Sequence, residues 1–187
     1  TEKKSLVVNG MSSSNRGSAF ANSGIVVSIN PQDVKEYSKQ PALSLMKFQQ
    51  ECEQKIYIHN QTSPAQRISD FIRNKPSNNI SATSYPSGLQ ACNMNDYLPR
   101  IIAEHLKEGF KVFDRRIKGF ISNQATMIGL ESRTSSPVRI LRDKDSLQHP
   151  QLAMLFPCGE GAGYAGGITS SAIDGVNAAE KISQILK

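Results

Sequence analysis

The sequence has no tryptophan, few aromatic residues (6%) and only three cysteines among its 187 residues. Cys52, Cys92 and Cys158 stand far apart, without the Cys-x-x-Cys or Cys/His spacing that is typical of zinc sites. We therefore expect no metal site, and an odd, scattered set of cysteines favours reduced thiols in the cytoplasm. No apolar run approaches the roughly 18 residues of a membrane span, and there is no signal-peptide pattern, so we expect no membrane association.

A large excess of one charge is also absent, because the net charge is a moderate +6. Such a charge fits a soluble basic protein or a protein with an anion-binding site. The arginines are scattered and form no basic run interleaved with aromatic residues, which argues against a nucleic-acid partner. With 38% hydrophobic residues, the chain has enough apolar material for one globular domain or two small ones.

The pattern of apolar residues changes twice along the chain. Short strands are predicted at 5–8 and 24–29, and further strands at 126–131 and 138–141, because these segments are β-branched or extended in pattern. Between them the pattern is helical. This order predicts an α+β fold with four parts: a β segment at 1–30, a mostly helical inserted domain at 31–124, β strands at 125–150, and a C-terminal strand, glycine loop and helix at 151–187.

Three local signals shape the helical part. Pro41 suits the first position of a helix whose apolar face includes Phe48, Cys52 and Ile56. Residues 63–66 (SPAQ) match a helix start with a capping box. Gly109 predicts a break between two later helices, the second of which presents aromatic residues to a core: Phe110, Phe113 and Phe120, together with Ile117.

The C-terminal stretch carries the strongest functional signal. An apolar run at 152–156 is followed by a glycine-dense loop and a helical pattern at 167–186, which predicts a strand, a tight turn and a helix N-terminus. This geometry can hold an anionic or electron-rich group against backbone N–H groups. Gly161, Gly163 and Gly166 spell G-x-G-x-x-G, but the 21 residues that follow leave no room for the second strand of a dinucleotide fold. The glycines instead predict close approach of a planar or phosphorylated ligand; a tight turn without a ligand is the alternative.

The last helix is predicted to bury one face, and its middle contains a glycine. Gly175 costs roughly 1 kcal/mol relative to alanine, which predicts a close crossing with another element. Cys158, just before the loop, is interpreted as a small buried thiol rather than a redox centre. The predicted buried face consists of Ile168, Ala172, Ala179, Ile182 and Leu186.

Four segments together resemble the FAD-dependent dehydrogenases described as NAD(FAD)-utilising, of the two-dinucleotide-fold type. They are 20–27 (FANSGIVV), 64–67 (PAQR), 133–140 (RTSSPVRI) and 157–168 (PCGEGAGYAGGI). The likeness runs from about Val7 to Lys187. It implies that the carboxylate of Glu160, where the wider family has aspartate, lies on the ribityl chain of FAD and that the next helix points at the N1/C2 edge of the flavin. The cofactor-contacting residues so implied are Gly159, Glu160, Gly161, Gly163, Tyr164, Gly166, Gly167 and Ile168.

The resemblance also implies a missing partner. Proteins of this kind carry an N-terminal unit that binds the ADP half of FAD, and nothing before Gly161 matches it. The chain therefore resembles the C-terminal part of a flavin oxidoreductase, comprising the substrate-side domain and the last flavin-contacting segment, and alone it is expected to bind FAD weakly or not at all. Hydride transfer at flavin N5 would serve a small-molecule substrate, with NADH or NADPH as a candidate electron partner.

Several polar residues are candidates for binding a substrate or another anion, with ordinary surface salt bridges as the alternative for the arginines. No histidine has a partner spacing that indicates catalysis. The rival interpretation of the whole chain is a non-catalytic binding or regulatory module with a basic surface for an acidic partner or nucleic acid. The anion-binding candidates are Arg133, Ser135, Ser136, Arg139 and Arg67.

Overall fold

The computed structural model describes residues 4–10, 16–57 and 62–186, and these residues form two compact units. The first, here called the sheet unit, comprises Thr1–Ile29 and Gln49–Ser132. The second, here called the glycine-loop unit, comprises Asn30–Phe48 and Arg133–Lys187. Helices and one small sheet occur together, which confirms the predicted α+β class. The predicted boundaries near 30, 124 and 150 stay predictions.

Seven helices and strands were assigned within the described residues, besides three short 3₁₀ helices. No helix in this part of the chain is both long and apolar enough to cross a bilayer. In chain order the elements are α1 (Ser44–Lys55), β1 (Ser63–Arg67), α2 (Ile68–Ile72), β2 (Leu89–Ala91), α3 (Arg100–Arg116), β3 (Thr126–Ile128) and α4 (Ile168–Ile185), and the 3₁₀ helices are Pro31–Tyr37, Pro41–Leu43 and Met94–Asp96.

The sheet of the sheet unit has three strands in the order β2-β1-β3. Strand β1 pairs in parallel with β2, so that Ala65 lies opposite Ala91. It pairs in antiparallel fashion with β3, so that Arg67 lies opposite Thr126. A buried apolar cluster packs beside this sheet, with the Phe71 and Phe110 rings edge-to-face at a centroid distance of 6.1 Å. The cluster consists of Ile56, Ile68, Phe71, Met94, Leu98, Ala103, Leu106 and Phe110.

The capping-box prediction at 63–66 is wrong, because Ser63–Arg67 is the central strand of the sheet. Gln66 closes no helix start. Its buried side chain instead donates to the Lys75 carbonyl (2.6 Å) and accepts from the Met94 N–H (2.7 Å). Sequence reasoning failed here because strand pairing on both sides outweighs a local capping preference, which is worth only about 1 kcal/mol.

The predicted break at Gly109 is also wrong, because α3 runs without interruption from Arg100 to Arg116. A single interior glycine costs roughly 1 kcal/mol, and burial of Leu106 and Phe110 on either side offsets that cost. Phe110 is buried and Phe113 and Phe120 pack against the cluster as predicted. Ile117 does not, because it lies just past the end of the helix and is exposed.

The strands predicted at 5–8, 24–29, 138–141 and 152–156 are not formed by the described residues. Of the strand predicted at 126–131, only Thr126–Ile128 is formed. The 5–8 segment is nonetheless anchored, since Leu6 N–H donates to the Glu53 carbonyl and Val8 N–H to the Leu130 carbonyl. These segments have strand-like sequences without the two-sided backbone pairing that defines a strand, because pairing depends on neighbours that local sequence does not specify.

Candidate functional site: the glycine loop

The glycine loop, residues 159–167, lies between an irregular apolar segment and the start of α4. It is a series of turns, closed by Gly163 N–H to the Glu160 carbonyl (2.9 Å) and Tyr164 N–H to the Gly159 carbonyl (3.0 Å). Glu160, Gly161 and Gly166 are exposed, whereas Ala162 is buried beneath the loop. The strand predicted before the loop is absent, but the loop and the helix after it are formed as predicted.

Two of the loop glycines are required by the fold of the loop itself. Gly159 and Gly163 have φ of +72° and +83°, a conformation that side-chain-bearing residues rarely adopt. A Cβ at Gly163 would in addition stand 2.7 Å from the Val138 carbonyl oxygen and 3.1 Å from the Cα of Arg139. The glycine loop and the backbone of Val138 and Arg139 are therefore in direct contact at this point.

Two other glycines face open space. A Cβ built at Gly161 or at Gly166 would meet nothing within 4 Å, and neither residue has a positive φ. Nothing in the described residues of the chain therefore requires glycine at these two positions. They leave a part of the loop surface free of side chains, which is the property that lets a flat ligand approach a backbone closely.

The arginine–serine segment at 133–140, predicted to bind an anion, contacts the loop directly. Ser136 Oγ donates to the Gly161 carbonyl (3.3 Å), and Ile140 N–H donates to the Ala162 carbonyl (3.1 Å). Arg139 donates through both Nε (3.0 Å) and Nη2 (2.8 Å) to the Gly163 carbonyl. Two sequence blocks about 20 residues apart thus form one local structure.

An ion pair that sequence reasoning missed fixes both the loop and α4. Arg142 forms a two-pronged pair with Asp174 of α4, with Nη1–Oδ2 at 3.0 Å and Nη2–Oδ1 at 2.7 Å. Their side chains are only 10% and 14% exposed. Asp174 also accepts from the Gly159 N–H (2.8 Å), and Arg142 donates to the Pro157 carbonyl (2.8 Å). Asp174, one of the two carboxylates of α4, was the signal available in the sequence.

The pKa values of the pair are shifted in opposite directions. The hydrogen bond from Arg142, followed by that from the Gly159 N–H, lowers the pKa of the Asp174 carboxyl despite its burial. The hydrogen bond to Asp174 raises the pKa of Arg142. Both groups therefore stay charged over the physiological pH range. The pair acts as a permanent link between the segment before the loop, the loop and the helix after it.

Tyr164 lies against the two arginines of this network. Its ring centre is 3.7 Å from Cζ of Arg142 and 5.0 Å from Cζ of Arg139. A guanidinium over an aromatic face is attracted by the ring quadrupole. Tyr164, predicted to contact a cofactor, therefore also covers the ion pair and helps to order the loop.

The N-terminus of α4 is open. Gly167 and Ile168 are exposed, and Ser170 Oγ accepts from the Gly167 N–H (3.1 Å). The first helical bond joins Ser171 N–H to the Gly167 carbonyl (2.9 Å). An 18-residue helix thus directs the positive end of its dipole to the surface beside Gly166.

The predicted buried face of α4 is wrong within this chain. Ile168 is 94% exposed, and Ala172 and Ala179 are exposed as well. The face turned to the rest of the glycine-loop unit instead carries Asp174 and the buried Ala178. The close crossing predicted at Gly175 is likewise not found, because a Cβ there would meet nothing within 4 Å.

The remaining predicted residues lie in different surroundings. Arg133 and Ser135 are exposed in the glycine-loop unit. Arg67 belongs to the sheet unit, where its N–H donates to Ser77 Oγ (3.0 Å) and its guanidinium donates to Asn79. The structure thus brings Ser136 and Arg139 to the loop, while an anion-binding role for any of these residues stays a prediction.

The prediction of a buried thiol at Cys158 is wrong, because this cysteine is exposed. The buried cysteine is Cys52, and burial raises its pKa to about 12. Cys92 is half-buried, and burial raises its pKa to about 11. Within the described residues no group of three His, Cys, Asp or Glu side chains could hold a metal ion.

Comparison with known proteins adds two findings. Residues 1–134 match the model of a family described as FAD-dependent protein, C-terminal domain-like. An uncharacterised protein of Clostridium beijerinckii is 38% identical over 184 residues, which cover 97% of this chain and 34% of that protein. The second match takes in the glycine loop, which lies beyond the residues of the family match. The chain thus spans about a third of the length of this relative.

Proposed function

The chain belongs to the FAD-dependent protein, C-terminal domain-like family, and from this membership we propose that its glycine loop faces the flavin of an FAD-dependent oxidoreductase. One observation carries the proposal. Gly161 and Gly166 have open space where side chains would stand, beside the exposed N-terminus of α4. A flat, electron-rich ring fits such a surface because it needs close backbone approach and gains from a positive helix end.

Specific residues take specific roles in this proposal. The exposed carboxylate of Glu160 accepts hydrogen bonds from the ribityl hydroxyls. The N-terminus of α4 stabilises negative charge at the N1/C2 edge of the ring, an effect of oriented backbone dipoles. FAD, when bound, supplies hydride transfer at its N5 atom.

The residues beneath the loop keep these groups in position. Arg142 and Asp174 link Pro157, Gly159 and α4, so that the loop and the helix end hold one arrangement. Arg139 holds the Gly163 carbonyl through two hydrogen bonds. A loop that is already ordered before a ligand binds loses less conformational entropy on binding, and the affinity is correspondingly higher.

The reaction class, the electron partner, the location and the remaining ligand contacts are proposed in less detail. Dehydrogenation of a small-molecule substrate is the proposed reaction class, with NADH or NADPH as electron partner and the cytoplasm as location. Arg133, Ser135 and Ser136 are proposed to contact an anionic substrate or a phosphate of the cofactor. Arg67 of the sheet unit is proposed by itself as an anion-binding residue. Because the chain spans a third of its relative, the contacts to the pyrophosphate and adenosine are assigned to the rest of the polypeptide. The chain alone should therefore bind FAD weakly or not at all.

The test uses the complete polypeptide that carries this chain. We expect it to purify with a flavin absorption band, and we expect Glu160→Ala to weaken FAD binding at least tenfold in a fluorescence titration. This loss follows from the roughly 1.5–3 kcal/mol of a hydrogen bond to a charged group. Glu36→Ala, an exposed carboxylate of the same unit, is the matched control and should bind FAD like the unchanged protein.

Glu160→Asp keeps the carboxylate and should recover most of the affinity. A complete polypeptide that carries no flavin and takes up none would contradict the proposal. Equal FAD affinity of Glu160→Ala and Glu36→Ala would remove Glu160 from the proposed site.

A further inference from the structure

The outward side of α4 exposes several large apolar residues, with the exposed polar residues Thr169, Glu180 and Ser183 between them. Ile168, Ile173 and Val176 are 94%, 56% and 57% exposed, and Ala172 and Ala179 are exposed beside them. The spacing of 168, 172, 176 and 179 places these residues on one side of a helix. This set of five residues, Ile168, Ala172, Ile173, Val176 and Ala179, is called the outer face of α4 below.

The inward side of the same helix carries a largely buried carboxylate and a buried alanine. It presents Asp174 to Arg142 and to the Gly159 N–H. The buried Ala178 is the one fully buried residue of α4 among the described residues. A surface helix of a globular protein ordinarily does the reverse, with its apolar stripe against the core and its charges in water. In α4, by contrast, a carboxylate faces the unit while several large apolar residues are exposed.

A second segment of the same unit repeats this pattern. Leu152, Met154 and Leu155 are 56%, 56% and 41% exposed, in a segment whose sequence predicts a strand but which has no strand pairing. Of thirteen large apolar side chains that the described residues expose, ten lie in the glycine-loop unit. Apolar exposure concentrated in this way marks an interaction surface.

The character of α4 limits what can cover its outer face. A helix that lies on a membrane surface carries a polar face rich in Lys and Arg, whereas α4 has Lys181 as its one basic residue beside Asp174 and Glu180. A partner of protein chemistry, apolar at the contact, fits better. The relative that matches 97% of this chain has about two thirds of its length outside the match, and this is enough polypeptide to supply such a partner.

We propose that the outer face of α4 packs against the remaining polypeptide of the FAD-dependent protein and forms the principal apolar contact between the two parts. Gly175 supports the assignment, because among the described residues nothing within 4 Å of a Cβ at this position accounts for a mid-helix glycine. A close approach from outside would account for it. The proposal depends on family membership and on the exposed face, and not on the flavin contacts of Glu160 or the glycine loop.

The test uses the complete polypeptide with a protease cleavage site introduced ahead of Thr1. After cleavage in FAD-free buffer, the two parts should co-elute from a sizing column. Val176→Glu places a charge in the proposed contact and should weaken the association at least tenfold. Gln32→Glu adds the same charge at an exposed position of the glycine-loop unit outside α4 and should leave the association unchanged.

A measurement without substitutions guards against misfolding of the variant. Amide hydrogen exchange across α4 should be slower in the uncleaved polypeptide than in the released chain, because a covered helix opens less often. Equal association of Val176→Glu and Gln32→Glu, or equal exchange in the two forms, would overturn the proposal. A released chain that forms a dimer disrupted by Val176→Glu would also overturn it, since the occupant would then be a second copy. Retained association with no FAD binding would contradict the proposed function and leave this inference intact.

Discussion

The sheet unit and the glycine-loop unit are held together by different kinds of interaction. In the sheet unit, eight buried apolar residues pack beside a three-stranded sheet. In the glycine-loop unit, an ion pair and carbonyl-directed arginines join the loop to α4, while large apolar side chains face outward. The comparison teaches that the first unit buries a large apolar cluster, whereas the second buries fewer apolar residues and leaves ten large apolar side chains of its described residues exposed. The following predictions test this difference, from the largest effect to the smallest.

Phe71→Ala should be the most destabilising change. Phe71 is fully buried in the cluster of the sheet unit, and a buried phenylalanine truncated to alanine costs about 3–5 kcal/mol in lost burial and cavity formation. Urea unfolding followed by far-UV circular dichroism measures the loss. Phe20→Ala, an exposed phenylalanine of the same unit, should cost less than about 1 kcal/mol. Similar losses for the two variants would mean that the cluster is not the core.

Asp174→Asn should lower the free energy of unfolding by about 3 kcal/mol, because it leaves Arg142 buried and without its counter-charge. The effect should depend on pH. The folded-state pKa of Asp174 is lowered, so its contribution is complete above the ordinary value of about 3.9 and is lost as the pH falls through the lower folded value.

Urea unfolding at pH 7 and at successively lower pH therefore shows whether the stabilisation comes from the charge of the Asp174 side chain or from its shape. The gap between the unchanged protein and Asp174→Asn should be full at pH 7 and should narrow below about pH 4. Asp145→Asn, in an exposed turn, serves as control and should change stability by less than about 0.5 kcal/mol. A gap that stays constant with pH would show that the ion pair contributes nothing through its charge.

Gly163→Ala should cost about 2 kcal/mol. The alanine would have to adopt φ of +83°, and its Cβ would stand 2.7 Å from a backbone carbonyl oxygen. Gly166→Ala meets no atom within 4 Å and should stay within about 0.5 kcal/mol of the unchanged chain. Thermal unfolding of the two variants side by side tests the division of the loop glycines into structural and ligand-facing positions, and equal losses would contradict it.

Ile173→Ala should have the smallest effect on this chain, within about 0.5 kcal/mol, since its side chain already contacts water. Ile56→Ala makes the same truncation at a buried position of the sheet unit and should cost about 2–5 kcal/mol. Urea unfolding of the two variants compares identical chemistry in the two units. A large loss for Ile173→Ala would show that the outer face of α4 is part of a core after all.

Local sequence predicted those features that depend on near neighbours. Phe48 and Cys52 of helix α1 and Ile56 just after it are buried, as the spacing indicated. The glycine loop leads directly into a long helix, as the order of residues indicated. Spacing failed where partners from distant sequence decide the outcome, as at Gln66 and at Gly109.

The candidate site divides in the same way. Glu160 and the loop glycines were recognisable because their types and order carry a chemical meaning without any neighbour. Arg142 was not recognisable, because its importance depends on Asp174, which lies 32 residues away in sequence. Arg139 was named as an anion-binding candidate, but its hydrogen bonds to the Gly163 carbonyl, 24 residues away, were not predicted.

The sequence by itself determined the α+β class, the turn-forming glycines and an amphipathic last helix, because each follows from residue type and short-range period. Only the tertiary structure decided which side of α4 faces inward, since the pairing of Arg142 with Asp174 turns this carboxylate to the unit and leaves large apolar residues of the helix exposed. The helical period of a sequence indicates that two faces of the helix differ in polarity. Contacts with other segments decide which of these faces is buried and which is exposed.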